Sequence, residues 1–345
     1  MVLLSRNVFI LMIRKFLVNK QNSKSHSNVP EETVIPNVFI VGAQKCGTTA
    51  VFHYLSKHPD VFVSDPKEAK HFCVDIFKES DDFYGKPRFF TAFRNLNDYL
   101  SLFSGVKKKH VCVAPTLSLY SKAAAKKIYE FNTKAKVIIM IREPVSFLHS
   151  YHNQMYLNLQ ENEKDFSKAL LLEEKRKEAK HLPHNVMFPS ALYYRNVATF
   201  SEQISRYIDL FPQDNLFIRT LSDLKNNPQE FYHDLLTFLE VEDNPIDLKV
   251  INKSRSLRFR PLVSLMTKLR IGYLLKKLVG KRFYASLKKW FNTFFYVTQR
   301  RTALSEKKAR ELKLTFVDEV KKLETILQRD DLLDIWGYPL KSNEL

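Results

Sequence analysis

The segment from Val38 to Leu55 constrains the fold more than any other stretch, and it reads VFIVGAQKCGTTAVFHYL. Its first four residues are apolar, which is typical of a buried strand, and Gly42 ends that run. After Gly47, apolar residues recur with helical spacing, so the segment predicts a strand, a glycine loop and a helix. A helix N-terminus presents free N–H groups and the positive end of the helix dipole, and both favour an anion. The segment therefore predicts a phosphate-binding loop; the simpler alternative is an ordinary strand–turn–helix with a surface lysine.

The glycine spacing of this loop is that of a Walker A motif, but the lysine is misplaced. Walker A requires a glycine, four residues, and then Gly-Lys-Ser/Thr. Gly42 and Gly47 have this spacing, whereas Thr48 occupies the lysine position and the lysine is Lys45. The whole chain contains only seven glycines, so we expect these two to be needed for backbone geometry.

Short apolar runs alternate with helix-forming segments along most of the 345 residues. Further strands are predicted at 61–63, 110–114, 136–141 and 215–219. Helices are predicted at 123–131, from Pro144 onward, and at 163–180, 193–210, 228–239 and 305–328, with two short helices within 76–104. This alternation predicts an α/β fold, a P-loop-like three-layer α/β/α arrangement with a mostly parallel central sheet. Ligands of such sheets bind at the carboxyl ends of the strands.

The N-terminal part predicts a leader and linker over 1–33, followed by a single domain over 34–345. The apolar run at 8–13 is too short to span a bilayer, and no small-residue cleavage site follows it, so we expect neither a transmembrane helix nor a signal peptide. A short interfacial helix and a disordered leader remain alternatives. The expected location is cytoplasmic, with or without peripheral contact with a membrane.

The formal net charge is +18, and one segment supplies most of it. Residues 248–305 contain fifteen Lys and Arg but neither Asp nor Glu. Such a balance favours an anionic partner: a nucleotide, an acidic glycan or a membrane surface. No DNA- or RNA-binding motif accompanies it, so no nucleic-acid partner is expected. The three cysteines have neither disulfide-framework nor zinc spacing, and no metal is expected.

The loop Gly-Ala-Gln-Lys-Cys-Gly-Thr-Thr at 42–49 resembles the 5′-phosphosulfate loop of sulfotransferases that use 3′-phosphoadenosine-5′-phosphosulfate (PAPS). The resemblance is to the carbohydrate and heparan-sulfate-type branch and its bacterial relatives. It implies that Lys45 acts on the bridging oxygen of the donor. It also implies a set of cofactor-binding residues in this loop: Gln44, Lys45, Cys46, Gly47, Thr48 and Thr49.

The second informative stretch, Lys136 to Tyr151, reads KVIIMIREPVSFLHSY. A P-loop hydrolase usually has an aspartate here to hold magnesium, but this strand ends in Arg142. Ser150 follows eight residues later on the predicted helix. The pair resembles the family's 3′-phosphate site, in which an arginine and a serine hold that phosphate. An ion pair between Arg142 and Glu143 is the simpler alternative.

The third stretch, KEAKHF at 67–72, resembles the Lys-Glu-Pro-His-Phe-Phe segment of the heparan-sulfate-type branch. It departs from that pattern at Ala69 and Lys70. The resemblance implies that Glu68 is the general base for the acceptor hydroxyl, with His71 as the rival base. Either residue is otherwise a solvated loop side chain.

The fourth stretch, NKSRSLR at 252–258, resembles the family's late basic loop, which closes over the nucleotide. It implies nucleotide contacts for Lys253, Ser254 and Arg255.

Together these stretches predict transfer of a sulfuryl group from PAPS to a hydroxyl or amine of an acceptor, a carbohydrate or a glycolipid, leaving 3′,5′-ADP. The alternatives are a P-loop nucleotide kinase and a non-catalytic module that binds anionic glycans or membranes. Within 260–290, basic and apolar residues alternate with largely helical spacing. These helices are expected either to line the ligand cleft or to contact an anionic membrane.

Overall fold

The computed structural model describes residues 34–248, 255–269, 271, 286–287, 291, 293–298 and 304–339. The predicted leader at 1–33 lies outside the described residues, as do Lys253 and Ser254. None of the helices in the described part is both long enough and apolar enough to cross a bilayer.

A five-stranded parallel sheet forms the centre of the fold, in the order β2–β3–β1–β4–β5. The strands are β1 (Val38–Gly42), β2 (Val61–Val63), β3 (His110–Val113), β4 (Lys136–Ile141) and β5 (Leu216–Thr220). Every residue of β1 and β3 is buried, and so are the last five of β4. Since successive side chains point to opposite faces of a sheet, both faces must be covered. The predicted α/β fold with a parallel central sheet is therefore confirmed.

Helices connect the strands and form the rest of the chain. They are α1 (Thr48–Leu55), α2 (Val74–Tyr84), α3 (Leu96–Leu100), α4 (Ala124–Phe131), α5 (Pro144–Leu157), α6 (Phe166–Leu171), α7 (Glu173–Lys177), α8 (Tyr194–Val197), α9 (Phe200–Ile208), α10 (Leu221–Asn226), α11 (Pro228–Leu239), α12 (Arg260–Lys268), α13 (Glu306–Leu314), α14 (Val317–Leu327) and α15 (Leu332–Ile335). Short 3₁₀ helices lie at Ser101–Phe103, Pro189–Leu192 and Gln213–Asn215.

Three predicted long helices are wrong, because each is divided into two. The helix expected at 193–210 is α8 and α9, and the helix expected at 305–328 is α13 and α14. Both breaks contain a threonine whose hydroxyl donates to a preceding carbonyl: Thr199 to Arg195 at 3.0 Å and Thr315 to Leu312 at 2.7 Å. Such local bonds compete with the helical ladder.

The helix expected at 163–180 is α6 and α7, which meet at Leu172. The Asp165 side chain accepts the backbone N–H of Lys168, so it caps α6 and fixes a later start than predicted.

The stretch predicted as a late basic loop contains a strand. β6 (Arg255–Leu257) pairs antiparallel with β7 (Tyr296–Thr298), and together they form a small separate ribbon. Only the backbone of Arg255 is described, so its predicted nucleotide contact stays a prediction, like those of Lys253 and Ser254.

The strand order places β1 between β3 and β4, where the connections change direction. The crevice outside the carboxyl ends of such neighbouring strands is where open α/β sheets bind ligands. The end of β1 and the loop after it are tied to both neighbours: Ala43 N–H donates to the Met140 carbonyl at 2.6 Å, and Leu119 N–H donates to the Val41 carbonyl at 2.7 Å.

Candidate active site

The loop between β1 and α1 has a backbone that requires its two glycines. Gly47, at φ 94°, is in the left-handed region, and an added Cβ would lie 3.0 Å from Leu221 Cδ1. A Cβ on Gly42 would lie 2.5 Å from the Cβ of Leu119. The expectation that the glycines serve backbone geometry is supported at Gly47; at Gly42, glycine is required by the close approach of Leu119 instead.

Lys45 is also in the left-handed region, at φ 66°, which is uncommon for a residue with a side chain. Its Nζ donates to Gln154 Oε1 at 3.1 Å. The amide of Gln154 in turn donates through Nε2 to Asn158 Oδ1 at 2.9 Å. Gln154 and Asn158 lie at the end of α5, so the candidate catalytic lysine is held against the same helix that carries Ser150.

Arg142 immediately follows β4, and its guanidinium is half-buried. Its Nε donates to Ser146 Oγ at 2.7 Å, one turn into α5. Within the described part of the chain, no carboxylate forms an ion pair with Arg142 and its two Nη groups have no hydrogen-bond partner. Burial lowers the pKa of Arg142. Because its two Nη groups have no described partner, the guanidinium presents a fork of donors suited to bidentate binding of a phosphate.

The alternative ion pair between Arg142 and Glu143 is not formed, because Glu143 has other partners. Its carboxylate caps α5 by accepting the N–H groups of Val145 and Ser146, at 2.8 and 2.6 Å. It also accepts the hydroxyl of Tyr338 at 2.8 Å. This capping directs the carboxylate to the helix N-terminus.

Ser150 lies on α5 one turn after Ser146 and one turn before Gln154. Its side chain is 1% exposed, and its hydroxyl has no hydrogen-bond partner among the described residues. A buried hydroxyl without a partner costs free energy, so its presence calls for an explanation.

A further cation follows the neighbouring strand β5. Burial, and then the nearby charge of Arg142, lower the pKa of Lys225 on α10. The loop after β1 lies beside the same helix, since a Cβ built on Gly47 would be 3.0 Å from Leu221 and 3.1 Å from Leu224. Cations thus converge from the ends of three adjacent strands, an arrangement that favours an anionic ligand.

Glu68 is brought close to the glycine loop by Thr116, a residue that is distant from both in sequence. Thr116 Oγ1 donates to Glu68 Oε1 at 2.7 Å, and the Thr116 carbonyl lies 3.1 Å from a Cβ built on Gly42. Lys70 Nζ lies 3.2 Å from Glu68 Oε2, an ion pair without good hydrogen-bond geometry. The Glu68 side chain is 35% exposed as a whole, but its Oε2 atom is buried and its Oε1 accepts the Thr116 hydroxyl.

Lys67 joins the Glu68 segment to the first turn of α1. Its Nζ donates to Thr49 Oγ1 at 3.1 Å, and its carbonyl accepts the N–H of Ala114 beyond β3. Burial lowers the pKa of Lys67. The candidate base and the glycine loop are therefore parts of one connected site.

His71 points into an aromatic cluster instead. Its ring stacks on Tyr99 at a centroid distance of 4.8 Å and meets Phe72 edge-on. Its Nδ1 bonds the Phe93 carbonyl at 2.9 Å, and burial lowers its pKa. This packing gives His71 a structural role, and its role as rival base stays a prediction.

These features agree with a comparison of the sequence with known families: the family model described as a sulfotransferase domain matches residues 36–268. The chain belongs to the sulfotransferase family. The prediction of a sulfotransferase-family enzyme is therefore confirmed.

Two relatives illustrate the extent of the likeness. The structure of a sulfotransferase from Alicyclobacillus acidocaldarius superposes with a TM-score of 0.61 at 24% identity, covering 88% of this chain and 99% of that one. The membrane-associated sulfotransferase kil1 of Dictyostelium discoideum is 27% identical over 139 residues, which are 39% of this chain and 27% of that protein. The first supports the shared fold; the second match spans about a quarter of the relative's length.

The other predicted loop residues of this sulfotransferase occupy the loop and the first turn of α1. Cys46 is fully buried, and its thiol donates to the Gln44 carbonyl at 3.4 Å. Burial raises the pKa of Cys46, so a reactive thiolate is not favoured. Thr48 is buried in the first turn of the helix, and Gln44 is half-buried.

Sequence reasoning missed several residues of this site. Ser146 and Gln154 are spaced four residues on either side of Ser150, so the helical period of α5 was a usable signal for both. Lys225 follows a predicted strand, and the strand-end rule that singled out Arg142 applies to it as well. Thr116 carried no local signal, because only the fold brings it to Glu68. No cluster of three or more His, Cys, Asp or Glu able to hold a metal occurs in the described ranges.

Proposed function

We propose that this protein transfers a sulfuryl group from PAPS to a hydroxyl or amine of a carbohydrate or glycolipid acceptor. One observation carries the proposal: Lys45 and Arg142, at the ends of adjacent strands, both contact α5, the helix that carries Ser150. Lys45 contacts Gln154 at one end of that helix, and Arg142 contacts Ser146 at the other. A donor with a 5′-phosphosulfate and a 3′-phosphate needs two such anion sites.

The residues present fit that donor. The Nη groups of Arg142 and the unpartnered hydroxyl of Ser150 would hold the 3′-phosphate, and Lys225 adds positive charge nearby. The loop N–H groups at the start of α1 would hold the 5′-phosphosulfate. The donor would supply the sulfuryl group itself.

Lys45 would then stabilise the charge that develops on the bridging oxygen as the sulfur–oxygen bond breaks. Its hydrogen bond to Gln154 holds the ammonium beside the loop before the reaction. A preorganised cation costs little reorganisation when charge develops, which is the source of its effect on rate.

Glu68 is the proposed general base. Thr116 donates to one carboxylate oxygen and Lys70 lies beside the other, so the side chain is fixed in place while still partly exposed. A base must lie within hydrogen-bond reach of the acceptor hydroxyl, so a bound acceptor would have to displace the Thr116 or Lys70 contact to reach a Glu68 oxygen.

The acceptor class and a membrane contact belong to the same proposal. The resemblance to the carbohydrate branch supports a sugar hydroxyl, and the likeness to a membrane-associated sulfotransferase supports an acceptor at a membrane. The single domain over 34–345 and the cytoplasmic location stay predictions.

Ligand-dependent thermal unfolding tests the nucleotide site. A ligand that binds only the folded state stabilises it by about 2.7 kcal/mol at a hundredfold excess over its dissociation constant. We expect 3′,5′-ADP to raise the melting temperature clearly more than 5′-AMP does. Arg142→Met should abolish that difference. Arg219→Met is the matched control, since Arg219 lies on β5 and pairs with Asp234 at 3.2 Å. Equal shifts for both nucleotides in the native protein would contradict the 3′-phosphate assignment.

Incubation with labelled PAPS and a panel of glycans, glycolipids and small alcohols tests the reaction. We expect label in at least one acceptor without added magnesium. Turnover of ATP that requires magnesium, with none of PAPS, would instead support the P-loop kinase.

A further inference from the structure

A cluster of exposed apolar side chains lies on and beside α12. Phe259, Leu262, Leu265, Leu269 and Phe294 are each at least 44% exposed. They make up five of the twelve large apolar side chains that are exposed in the described part of the chain, so they are concentrated and not scattered. We call these five residues the apolar patch. Contiguous exposed apolar surface of this kind commonly marks an interaction site.

The orientation of α12 explains why the patch faces outward. Leu262, Leu265 and Leu269 recur at the spacing of one helix face, while Val263 on another face is buried. Phe259 stacks on Phe294 with a centroid distance of 6.2 Å, which extends the leucine face onto the neighbouring segment. The helix therefore presents an apolar face to solvent.

Arg260 fixes α12 to the helix that carries the candidate site. Its guanidinium stacks 3.8 Å from the centre of the Tyr156 ring and donates to the carbonyls of Tyr156 at 3.4 Å and Glu161 at 2.5 Å. Tyr156 lies two residues beyond Gln154, which contacts Lys45. The patch is thus attached to the end of α5 next to the candidate catalytic lysine.

The charge of the surrounding sequence is positive throughout. Residues 248–305 contain fifteen Lys and Arg and no acid, and Arg258 beside the patch is exposed. A surface that combines large apolar side chains with basic residues matches the interface of a bilayer rich in anionic lipids.

We propose that the apolar patch, with exposed Arg258 beside it, docks the protein on an anionic lipid bilayer. An acidic glycan would satisfy the charges, but it offers no apolar phase for five large side chains. A bilayer interface satisfies both, because leucine and phenylalanine enter the acyl boundary while lysine and arginine remain at the headgroups. Docking through α12 keeps the end of α5, and with it Lys45, near the surface that would present a glycolipid acceptor.

Vesicle flotation with the full chain, without donor or acceptor, tests this directly. The vesicles contain phosphatidylcholine alone, or phosphatidylcholine mixed with phosphatidylserine. We expect binding only to the mixed vesicles and weaker binding as salt increases. The variant L262Q/L265Q/L269Q should partition roughly a hundredfold more weakly, at roughly fivefold for each leucine. Lys276, Lys277, Lys281 and Arg282 lie outside the described residues but within the acid-free stretch of the sequence, and neutralising them to glutamine should also cost roughly fivefold per charge.

Two matched controls separate the patch from general surface effects. L171Q changes a leucine that is 76% exposed on α6, and it should leave partitioning unchanged. A second control variant removes four positive charges elsewhere on the surface, by changing the exposed residues Lys107, Lys127, Lys164 and Lys175 to glutamine. It should weaken vesicle binding much less than the four changes within 276–282. Circular dichroism verifies folding, and single variants L262Q and L269Q replace the triple variant if it unfolds.

Three results would overturn the proposal: no binding to the mixed vesicles at low salt, equal binding by the leucine variant, or equal loss from both charge variants. Equal binding by the leucine variant together with salt-sensitive retention on heparin would assign the surface to an acidic glycan. Because vesicle binding is measured without turnover, it can fail or succeed independently of sulfuryl transfer.

Discussion

Replacing Ser150 with alanine should change stability and ligand binding in opposite directions. In the ligand-free protein, its hydroxyl is 1% exposed and without a partner in the described part of the chain. An unsatisfied buried hydroxyl costs about 1–3 kcal/mol, so removing it should stabilise the free protein by about 1 kcal/mol at the low end. For a chain of this length we expect a rise in melting temperature of about 2 °C.

Bound nucleotide should remove the stability that the Ser150→Ala variant gains in the ligand-free protein. A hydrogen bond to a charged phosphate contributes about 1.5–3 kcal/mol, so Ser150→Ala should weaken 3′,5′-ADP binding by at least roughly tenfold. At a concentration that stabilises the native protein by about 2.7 kcal/mol, the variant then gains only about 1.4 kcal/mol. The difference of about 1.3 kcal/mol offsets the gain in the free protein. Saturating nucleotide should therefore remove the higher melting temperature of the variant.

Thermal unfolding with and without 3′,5′-ADP, and calorimetric titration of the nucleotide, measure both effects. Ser80→Ala is the matched control, because Ser80 on α2 is also fully buried with an unpartnered hydroxyl. It should raise the stability of the free protein similarly and leave nucleotide affinity unchanged. If Ser150→Ala lowers the stability of the free protein and binds 3′,5′-ADP as tightly as the native protein, the reasoning is refuted.

Three further variants test the proposed chemistry. Lys45→Ala should lower kcat by a hundredfold or more, with little change in 3′,5′-ADP affinity, since a group acting on developing charge affects mainly the rate; unchanged turnover would remove Lys45 from the bridging oxygen. Glu68→Gln should lose turnover while the acceptor still binds; an active Glu68→Gln beside an inactive but folded His71→Ala would reverse the choice of base. Gln154→Glu should hold Lys45 in an ion pair and lower kcat about tenfold with nucleotide affinity kept, whereas an unchanged kcat would show that this contact does not control the lysine.

The parts of the fold that could be predicted from sequence are those set by short-range chemistry. The β1–loop–α1 unit follows from an apolar run, a glycine with positive φ and a periodic helix within eighteen residues. Arg142 could likewise be placed at a strand end, because Pro144 marks the first turn of the next helix. In both units one local signal ends an element and another begins the next.

The parts that could not be predicted depend on contacts between distant segments. Thr116 positions Glu68 across 48 positions of sequence, and Lys45 meets Gln154 across 109. Sequence alone leaves the choice between Glu68 and His71 open for the same reason. The two residues are only three positions apart, but contacts with distant segments place their side chains in different surroundings. Only the fold places one beside Thr116 and the other on Tyr99.

Arg142, just before α5, and Ser150, on α5, each hold a polar group without a full set of partners, and each of these groups costs folding free energy. Burial lowers the pKa of Arg142, so holding its charge there costs folding free energy; the nearby charge of Glu143 offsets this cost only in part, because no described carboxylate forms an ion pair with the guanidinium. The nearby acid, Glu143, is engaged in capping the helix and in bonding Tyr338. A chain that needed only stability would place that carboxylate on the guanidinium. An anion that binds between Arg142 and Ser150 would relieve the unpaired charge and the unpaired hydroxyl together, which is why ligand-dependent stability measures this site so directly.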